Sequence, residues 1–133
     1  MGGPPLDRRV RDVVATWAGV TVQPHRGGGW EFRVQQRKFG HLRGGHAADL
    51  PVPLRLRRDL VASGRAQPHP VIPSGGWVSH PLRTEHDVPA VLALLRLNYE
   101  RLRLGGARLR PPALAPATRL SLLGDRASDD LPA

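Results

Sequence analysis

One short run of residues constrains the fold of this chain more than any other feature. Between positions 30 and 35 apolar and polar side chains alternate, and the apolar ones are Trp30, Phe32 and Val34. A period of two is typical of a β-strand that buries one of its faces. Such a face must be covered by another layer of secondary structure. The sequence therefore predicts a sheet with one apolar surface and a helix packed across it.

The covering helix is predicted from residue 87 to about residue 104. Asp87 can cap its start, and Pro89 falls in the first turn, where no intrahelical N–H is lost. Gly105 and Gly106 are expected to end it. Its apolar stripe comprises Val88, Val91, Leu92, Leu95, Tyr99 and Leu102, widened by Leu94 and Leu97. This breadth favours a helix lying on a sheet.

The remaining patterns predict shorter elements around these two. Helices are expected at residues 6–18 and 54–63, and strands at 20–22, 30–35, 38–42, 71–72 and 77–79. Residues 36–37 would connect the second and third strands, residues 43–48 would form a flexible loop, and residues 73–76 would make a turn. The order α-β-β-β-α-β-β-α predicts an α+β fold in two layers, with an antiparallel sheet of about five strands packed against helices.

Length and composition narrow the classes of protein. A chain of 133 residues fits one domain; we expect it at residues 6–104, between a disordered N-terminus (1–5) and a mostly disordered, Pro/Ala-rich tail (105–133). Cysteine is absent, which excludes disulfides, thiolate metal sites and a cysteine nucleophile. No apolar run is long enough for a signal peptide or a membrane span, so the expected location is the cytoplasm, without a membrane partner.

The net charge of +9 has two explanations that composition leaves open. Clustered cations bind nucleic acid by releasing counterions from its phosphates. However, Lys38 is the only lysine, and the other 19 cations are arginine, a bias that a GC-rich genome would also impose. A solvated basic surface is the commoner case. The basic-face candidates are Arg37, Lys38, Arg43, Arg55 and Arg58, beside Arg33 on the central hairpin.

A succession of motifs suggests a family. WAGVTV stands at residues 17–22, WEFRV at 30–34, GHL at 40–42, ADLP at 48–51, VIPSGGWVS at 71–79 and LLRLNY at 94–99. Over residues 6–104 this succession resembles the small luciferase family domain, a domain of unknown function of actinobacterial and haloarchaeal type. More remotely, it resembles MmcQ/YjbR-like domains, some of which are suspected of binding DNA. The resemblance implies a fold similar to the frataxin (CyaY) type and implies no catalytic residue.

Several polar side chains are candidates for a ligand pocket. His41, Asp49, His69, Arg33 and Trp77 come from predicted strands and their exits, so they could face one opening of the sheet and bind an anionic or acyl ligand. An Asp–His pair could also act as a general base. The alternative, which we favour, is that Asp49 caps or ties the loop before Pro51.

Two other kinds of chemistry find less support. His41, His46 and Asp49 lie within nine residues and are weak candidates for a metal site, which would need a further ligand such as His69 or His25. We favour the interpretation that these histidines are on the surface or hydrogen-bonded. We therefore expect no metal and no cofactor. No G-x-S-x-G motif occurs, which disfavours a serine hydrolase.

The function favoured by these patterns is a non-catalytic binding module for an anionic small molecule or an acidic protein partner. One alternative is an enzyme or small-molecule-binding protein that uses His41, Asp49 and His69. Another is nucleic-acid binding through the exposed basic face. The tryptophans could stack on bases, but their alternation favours a place in the core.

Overall fold

The computed structural model describes residues 3–70 and 75–107, with side chains to residue 105. Its helices are α1 (Leu6–Val14), α2 (Leu54–Ala62) and α3 (Asp87–Ala107). Its strands are β1 (Val20–Pro24), β2 (Gly29–Val34), β3 (Arg37–Arg43), β4 (Ala47–Pro51), β5 (Gln67–Pro68) and β6 (Trp77–Pro81). The sheet, α1, α2 and the part of α3 up to Arg103 lie in the compact unit Met1–Arg103.

All six described strands form a single antiparallel sheet in the order β1-β2-β3-β4-β6-β5. The first four strands are joined in sequence by hairpins. β6 pairs with β4 after the excursion through α2, and β5 lies at the edge. An α+β fold with an antiparallel sheet is what the sequence predicts, and the structure confirms it.

One face of the sheet is apolar. Phe32 and Val34 of β2 are almost completely buried, as are Leu50 of β4 and Val78 of β6. Val10 of α1 and the apolar stripe of α3 complete the same hydrophobic core. The buried members of that stripe are Val88, Val91, Leu94, Leu95, Tyr99 and Leu102. The alternation in β2 and the stripe of α3 therefore meet as predicted.

Three contacts fix α3 on the sheet. The Asn98 amide donates hydrogen bonds to the carbonyl oxygens of Phe39 (2.8 Å) and Pro51 (2.9 Å). The Tyr99 hydroxyl donates to the Ala18 carbonyl (2.6 Å). A Cβ atom added at Gly40 would lie 2.5 Å from Cδ2 of Leu95, so glycine allows the helix to approach β3 this closely.

A row of polar residues crosses the opposite face of the sheet. Adjacent strands pair Gln23 with Glu31, Glu31 with His41, His41 with Asp49, Asp49 with Ser79 and Ser79 with Gln67. Successive side chains of a strand point to opposite faces. The six residues Gln23, Glu31, His41, Asp49, Ser79 and Gln67, here called the polar row, are therefore on one face, and the candidate site is built around them.

An irregularity in the pairing of β2 with β3 keeps the apolar side chains of both strands on one face of the sheet and the polar side chains on the other. The register shifts between Phe32 and Arg33, so that Phe32 pairs with Gly40 and Arg33 with Lys38. Phe39 is the extra residue of a β-bulge. Its ring is fully buried and lies 5.5 Å from that of Tyr99. The bulge thus places Phe39 in the core.

The structure corrects several details of the sequence prediction. Residues 43–48 were expected to form a loop, but a short turn at residues 44–46 leads directly into β4. The β2–β3 connection is Gln35–Gln36, both at positive φ (53° and 64°), as in a type I′ turn. α1 ends at Val14 because Thr16 and Trp17 donate to carbonyls three residues back, which tightens the last turn.

The end of α3 also differs from the expectation. The helix continues through Gly105 to Ala107, because Gly105 does not adopt the positive φ that would form a left-handed cap. The strand expected at residues 71–72 lies outside the described residues, as does most of the turn at 73–76 and the tail from residue 108. None of the described helices combines the length and apolar character needed to cross a lipid bilayer.

Gly29 offers a test of the β2–β3 pairing. Its φ is +87°, and an added Cβ would lie 1.9 Å from the Leu42 carbonyl oxygen. We expect Gly29→Ala to lower the free energy of unfolding by about 3 kcal/mol or more, because the added Cβ would force β2 and β3 apart and because alanine is strained at a positive φ. Gly28 has φ +94° but open space around it, so Gly28→Ala should cost only about 1–2 kcal/mol. Urea unfolding measures both, and equal losses would contradict this steric account.

Candidate functional site

The candidate site is centred on the carboxylate of Asp49 in β4. Its side chain is fully buried, although it lies on the face opposite to α3. Arg43 donates to both carboxylate oxygens, from Nε to Oδ2 (2.8 Å) and from Nη2 to Oδ1 (3.1 Å). The Ser79 hydroxyl donates to Oδ1 at 2.8 Å. A buried charge is tolerated only where it is paired and hydrogen-bonded, and Asp49 meets both conditions.

Two histidines complete the surroundings of this carboxylate. His41 Nε2 lies 2.9 Å from Asp49 Oδ2, and His69 Nε2 lies 3.5 Å from the same oxygen. Because an ionised carboxylate only accepts hydrogen bonds, His41 Nε2 carries a proton and donates it to Asp49 Oδ2. His41 Nδ1 is buried and makes no hydrogen bond within the described part of the chain. His69 follows β5 and brings that segment over Asp49.

These contacts change the acidity of the groups involved. Burial alone would raise the pKa of Asp49, but the hydrogen bonds from His41, Arg43 and Ser79 outweigh it and hold that pKa far below its usual range. The hydrogen bond to Asp49 raises the pKa of Arg43 in turn. Asp49 is therefore ionised and paired with Arg43 at neutral pH.

Glu31 provides a second carboxylate on the polar row. Arg33 Nε donates to it at 2.6 Å, and Lys38 Nζ lies 3.5 Å from its other oxygen. Burial would raise the pKa of Glu31, but the Arg33 hydrogen bond and the charge of Lys38 lower it. His41 is the cross-strand neighbour of Glu31, so it stands between two paired carboxylates.

Aromatic rings enclose His41. The His25 ring stacks on it with centroids 4.1 Å apart, and the Trp77 ring lies at 5.5 Å. Trp77 also contacts His69 edge-on at 6.2 Å, and Lys38 Nζ is 5.2 Å from its ring centroid. Burial, followed by the influence of His41 and Lys38, lowers the pKa of His25. A neutral His25 can stack on His41 without like-charge repulsion.

The structure brings together four of the five residues predicted to share a pocket. His41, His69 and Trp77 surround Asp49. Arg33 joins them only through Glu31. The favoured alternative for Asp49 is wrong, because its carboxylate binds side chains of neighbouring strands and not the loop before Pro51.

The candidate metal ligands are only partly gathered. His46 is exposed in the turn before β4, with Nδ1 3.3 Å from the Gly44 carbonyl oxygen. It therefore does not join His41 and Asp49. In residues 3–70 and 75–107, no three His, Asp or Glu side chains are placed so that they could hold a metal ion together.

The basic-face candidates do not share one role. Arg43 is bound to Asp49, and Lys38 is half-buried between Glu31 and Trp77. Arg55 and Arg58 are exposed on α2, and Arg37 is exposed at the start of β3. The expectation that Lys38 and Arg43 belong to an exposed basic face is therefore wrong, because their charges are paired with carboxylates.

Sequence reasoning missed Ser79 as a partner of Asp49 and missed Glu31, and it considered His25 only as a possible metal ligand and not as the ring that stacks on His41. It placed Arg43 on an exposed face. The signal that could have found these residues is the register of a strand at residues 47–51. Once Asp49 is on a strand that pairs with both β3 and β6, His41 and Ser79 become its lateral neighbours.

An open cleft adjoins this cluster at the β6 side. It has a volume of about 430 Å³, and its polar lining consists of Arg43, His46, Gln67, Ser79 and Arg83. Proline and alanine side chains form the rest of its wall. No carboxylate lines this cleft, here called the β6 cleft, in the described part of the chain; Asp49 lies behind Arg43.

Comparison with known proteins adds one finding. A family model described as the luciferase domain matches residues 36–98. This segment contains Asp49 and every side chain that the structure places in hydrogen-bonding or ion-pair contact with its carboxylate. No curated protein and no solved structure matches the chain.

Asp49→Asn tests whether the carboxylate organises the cluster. The variant leaves the Arg43 charge without its partner, so we expect the free energy of unfolding at pH 7 to fall by about 3–5 kcal/mol. Asp59 is exposed on α2, and Asp59→Asn should change it by less than about 0.5 kcal/mol. Urea denaturation followed by circular dichroism measures both. Similar small effects would show that Asp49 is dispensable for folding.

The contribution of the Asp49–Arg43 pair to stability should decrease as the pH is lowered. Because the pKa of Asp49 is lower in the folded than in the unfolded chain, its stabilisation is present above about pH 4 and is lost as pH falls toward the folded value. The slope is at most about 1.4 kcal/mol per pH unit. Asp49→Asn lacks this contribution, so the difference in stability between the wild type and the variant should shrink between pH 5 and pH 2. A constant difference would contradict the lowered pKa.

Proposed function

We propose that this domain, which matches the luciferase domain family over residues 36–98, binds a small organic anion, such as a carboxylate with an apolar body, in the β6 cleft. The observation that carries the proposal is the fixed guanidinium of Arg43. Asp49 holds it through Nε and Nη2, while Nη1 makes no hydrogen bond to any described residue. Arg43 also lines the cleft, and a positioned guanidinium recognises oxyanions with little loss of side-chain entropy.

The remaining lining of the cleft supports an anionic ligand. Arg83 is exposed there, and its guanidinium has no acidic partner among the described residues. Gln67 and Ser79 supply neutral hydrogen-bonding groups. The alanine and proline walls suit an apolar body, and about 430 Å³ is within the range of small-molecule sites. An acidic protein segment would use the same cations.

Nucleic-acid binding has less support than a small anion. Arg43 and Lys38, which were to form the basic face of the hairpin, have carboxylate partners. Such pairs release few counterions from a phosphate chain. The exposed cations of α2 remain, but nothing in their placement favours a polymer.

Octanoate provides a probe of the β6 cleft, with octanol as the neutral molecule of matched apolar length. We expect octanoate, measured by isothermal titration calorimetry, to bind more tightly than octanol. Arg83→Gln should weaken octanoate binding about tenfold, because a charge-assisted hydrogen bond contributes about 1.5–3 kcal/mol. Arg26 is exposed in the β1–β2 connection, and Arg26→Gln is the control that should leave the affinity unchanged. Equal binding of octanoate and octanol, or equal losses in the two variants, would refute the proposal.

One observation favours catalysis as a second candidate function. His41 has its Nε2–H held by Asp49 and its buried Nδ1 left without a hydrogen bond to a described residue, which is how a carboxylate orients a histidine that acts as a general base. His41→Gln can retain the donor to Asp49 and removes the Nδ1 lone pair. Hydrolysis of p-nitrophenyl octanoate that is lost in His41→Gln, with folding intact, would support this function; equal rates in both proteins would exclude it for this substrate.

A further inference from the structure

A second cleft, separate from the β6 cleft, brings together three cations at the opposite end of β3. Arg37 and Lys38 begin β3, and Arg101 approaches from the last part of α3. With residues 51–53 and Gly76 they line an open space of about 270 Å³. No carboxylate is among the described residues that line it. We call it the α3 cleft.

We propose that the α3 cleft binds the phosphoryl group of a small molecule. A phosphoryl group carries up to two negative charges and several acceptor oxygens, which a cluster of three cationic side chains can satisfy together. The forked guanidinium of arginine matches this geometry, and lysine contributes a compact charge. The proposal is independent of the β6 cleft, because the two clefts share no lining residue.

Arg101 is held in place before any ligand arrives. Its Nε donates to the Asn98 side-chain oxygen at 2.8 Å. Asn98 is itself buried, and its amide nitrogen donates to carbonyl oxygens of β3 and β4. The guanidinium is thus anchored through one amide to two neighbouring strands. A positioned cation loses less conformational entropy on binding an anion than a flexible surface arginine would.

Arg101 also lacks the acidic partner that other arginines of this domain have. Arg9 pairs with Glu85, Arg33 with Glu31 and Arg43 with Asp49, while Arg96 and Arg103 share Glu100. No acidic side chain within the described ranges pairs with Arg101. Partial burial and the like charge of Arg37 lower its pKa to about 10, so it still carries its charge at neutral pH.

The unfavourable proximity of Arg37 and Arg101 indicates which kind of ligand would stabilise the site. Bringing Arg37 beside a partly buried Arg101 is unfavourable in the free protein, because burial and a like charge both oppose ionisation. An anion between them would turn repulsion into two attractive contacts. Lys38 is partly committed to Glu31, at 3.5 Å, so the two arginines are the principal ligands and Lys38 supplies a longer-range charge.

Inorganic pyrophosphate is the probe for this site. At constant ionic strength, adjusted with sodium chloride, we expect pyrophosphate to raise the melting temperature of the wild-type domain and to bind measurably in calorimetry. Arg101→Met keeps an apolar stem of similar length and removes the charge. We expect it to weaken pyrophosphate binding at least tenfold, and Arg37→Gln, at an exposed position, to weaken it several-fold without disturbing the core.

Two control variants separate this proposal from the others. Arg103→Met removes a cation two residues further along α3 that pairs with Glu100 and should leave the affinity within twofold of the wild type. Arg83→Gln removes a cation of the β6 cleft and should leave pyrophosphate binding unchanged while it weakens octanoate binding.

The outcomes assign success or failure to each cleft. The proposal is overturned if pyrophosphate does not bind, or if Arg37→Gln and Arg103→Met weaken binding equally, which would indicate general charge attraction. Should Arg101→Met fail to fold, the comparison of Arg37→Gln with Arg103→Met still decides. A single-stranded oligonucleotide that binds while pyrophosphate does not would also overturn it, in favour of a polymeric phosphate ligand.

Discussion

The ionised carboxylate of Asp49 is the interaction on which the rest of the sheet's polar face depends. It has no exposure to solvent, and its partners come from β3, β6 and the segment after β5. Such a group could not stay charged in the interior without these donors. Conversely, the donors owe their positions to it: Arg43 and His41 are two residues apart on one strand and converge on the same oxygen. The Asp49 side chain therefore links the central hairpin to β6 and to the segment after β5, which come later in the sequence.

The two faces of the sheet follow from the same alternation but have opposite chemistry. Phe32 and Leu50 bury apolar surface beneath the helices, whereas their neighbours Glu31 and Asp49 belong to the polar row. Keeping this separation across β3 requires the bulge, because without the extra residue Phe39 would leave the core or His41 would enter it. The Asn98 amide then joins α3 to both β3 and β4, so the position of the covering helix and the spacing of the strands that carry His41 and Asp49 are set by the same contact.

The sequence predicts the elements of this fold well where apolar residues recur with a regular period. It predicts less well the features that depend on how the strands pair. The alternation through Trp30, Phe32 and Val34 and the stripe of α3 identified the layers correctly, since burial of apolar area dominates both. β4 escaped prediction because its segment contains two alanines, an aspartate and a terminal proline, all of which are depleted in strands. The Gln35–Gln36 turn escaped because neither residue favours positive φ. Missing β4 also hid the roles of Arg43 and Ser79, because a side chain's lateral neighbours follow only from strand pairing.

The pairing of cations with carboxylates also changes how the net charge is understood. Formal charge counts every arginine equally, yet Arg33 and Arg43 are neutralised by carboxylates within about 3 Å. Such pairs contribute little field at a distance, particularly when salt screens what remains. The cations able to attract a ligand are those without an acidic neighbour among the described residues, and the structure places Arg83 in one cleft and Arg37 with Arg101 in another. Local pairing, more than the total of +9, therefore determines where an anion can be bound, and it favours small ligands in defined clefts over a long polymer on a uniform surface.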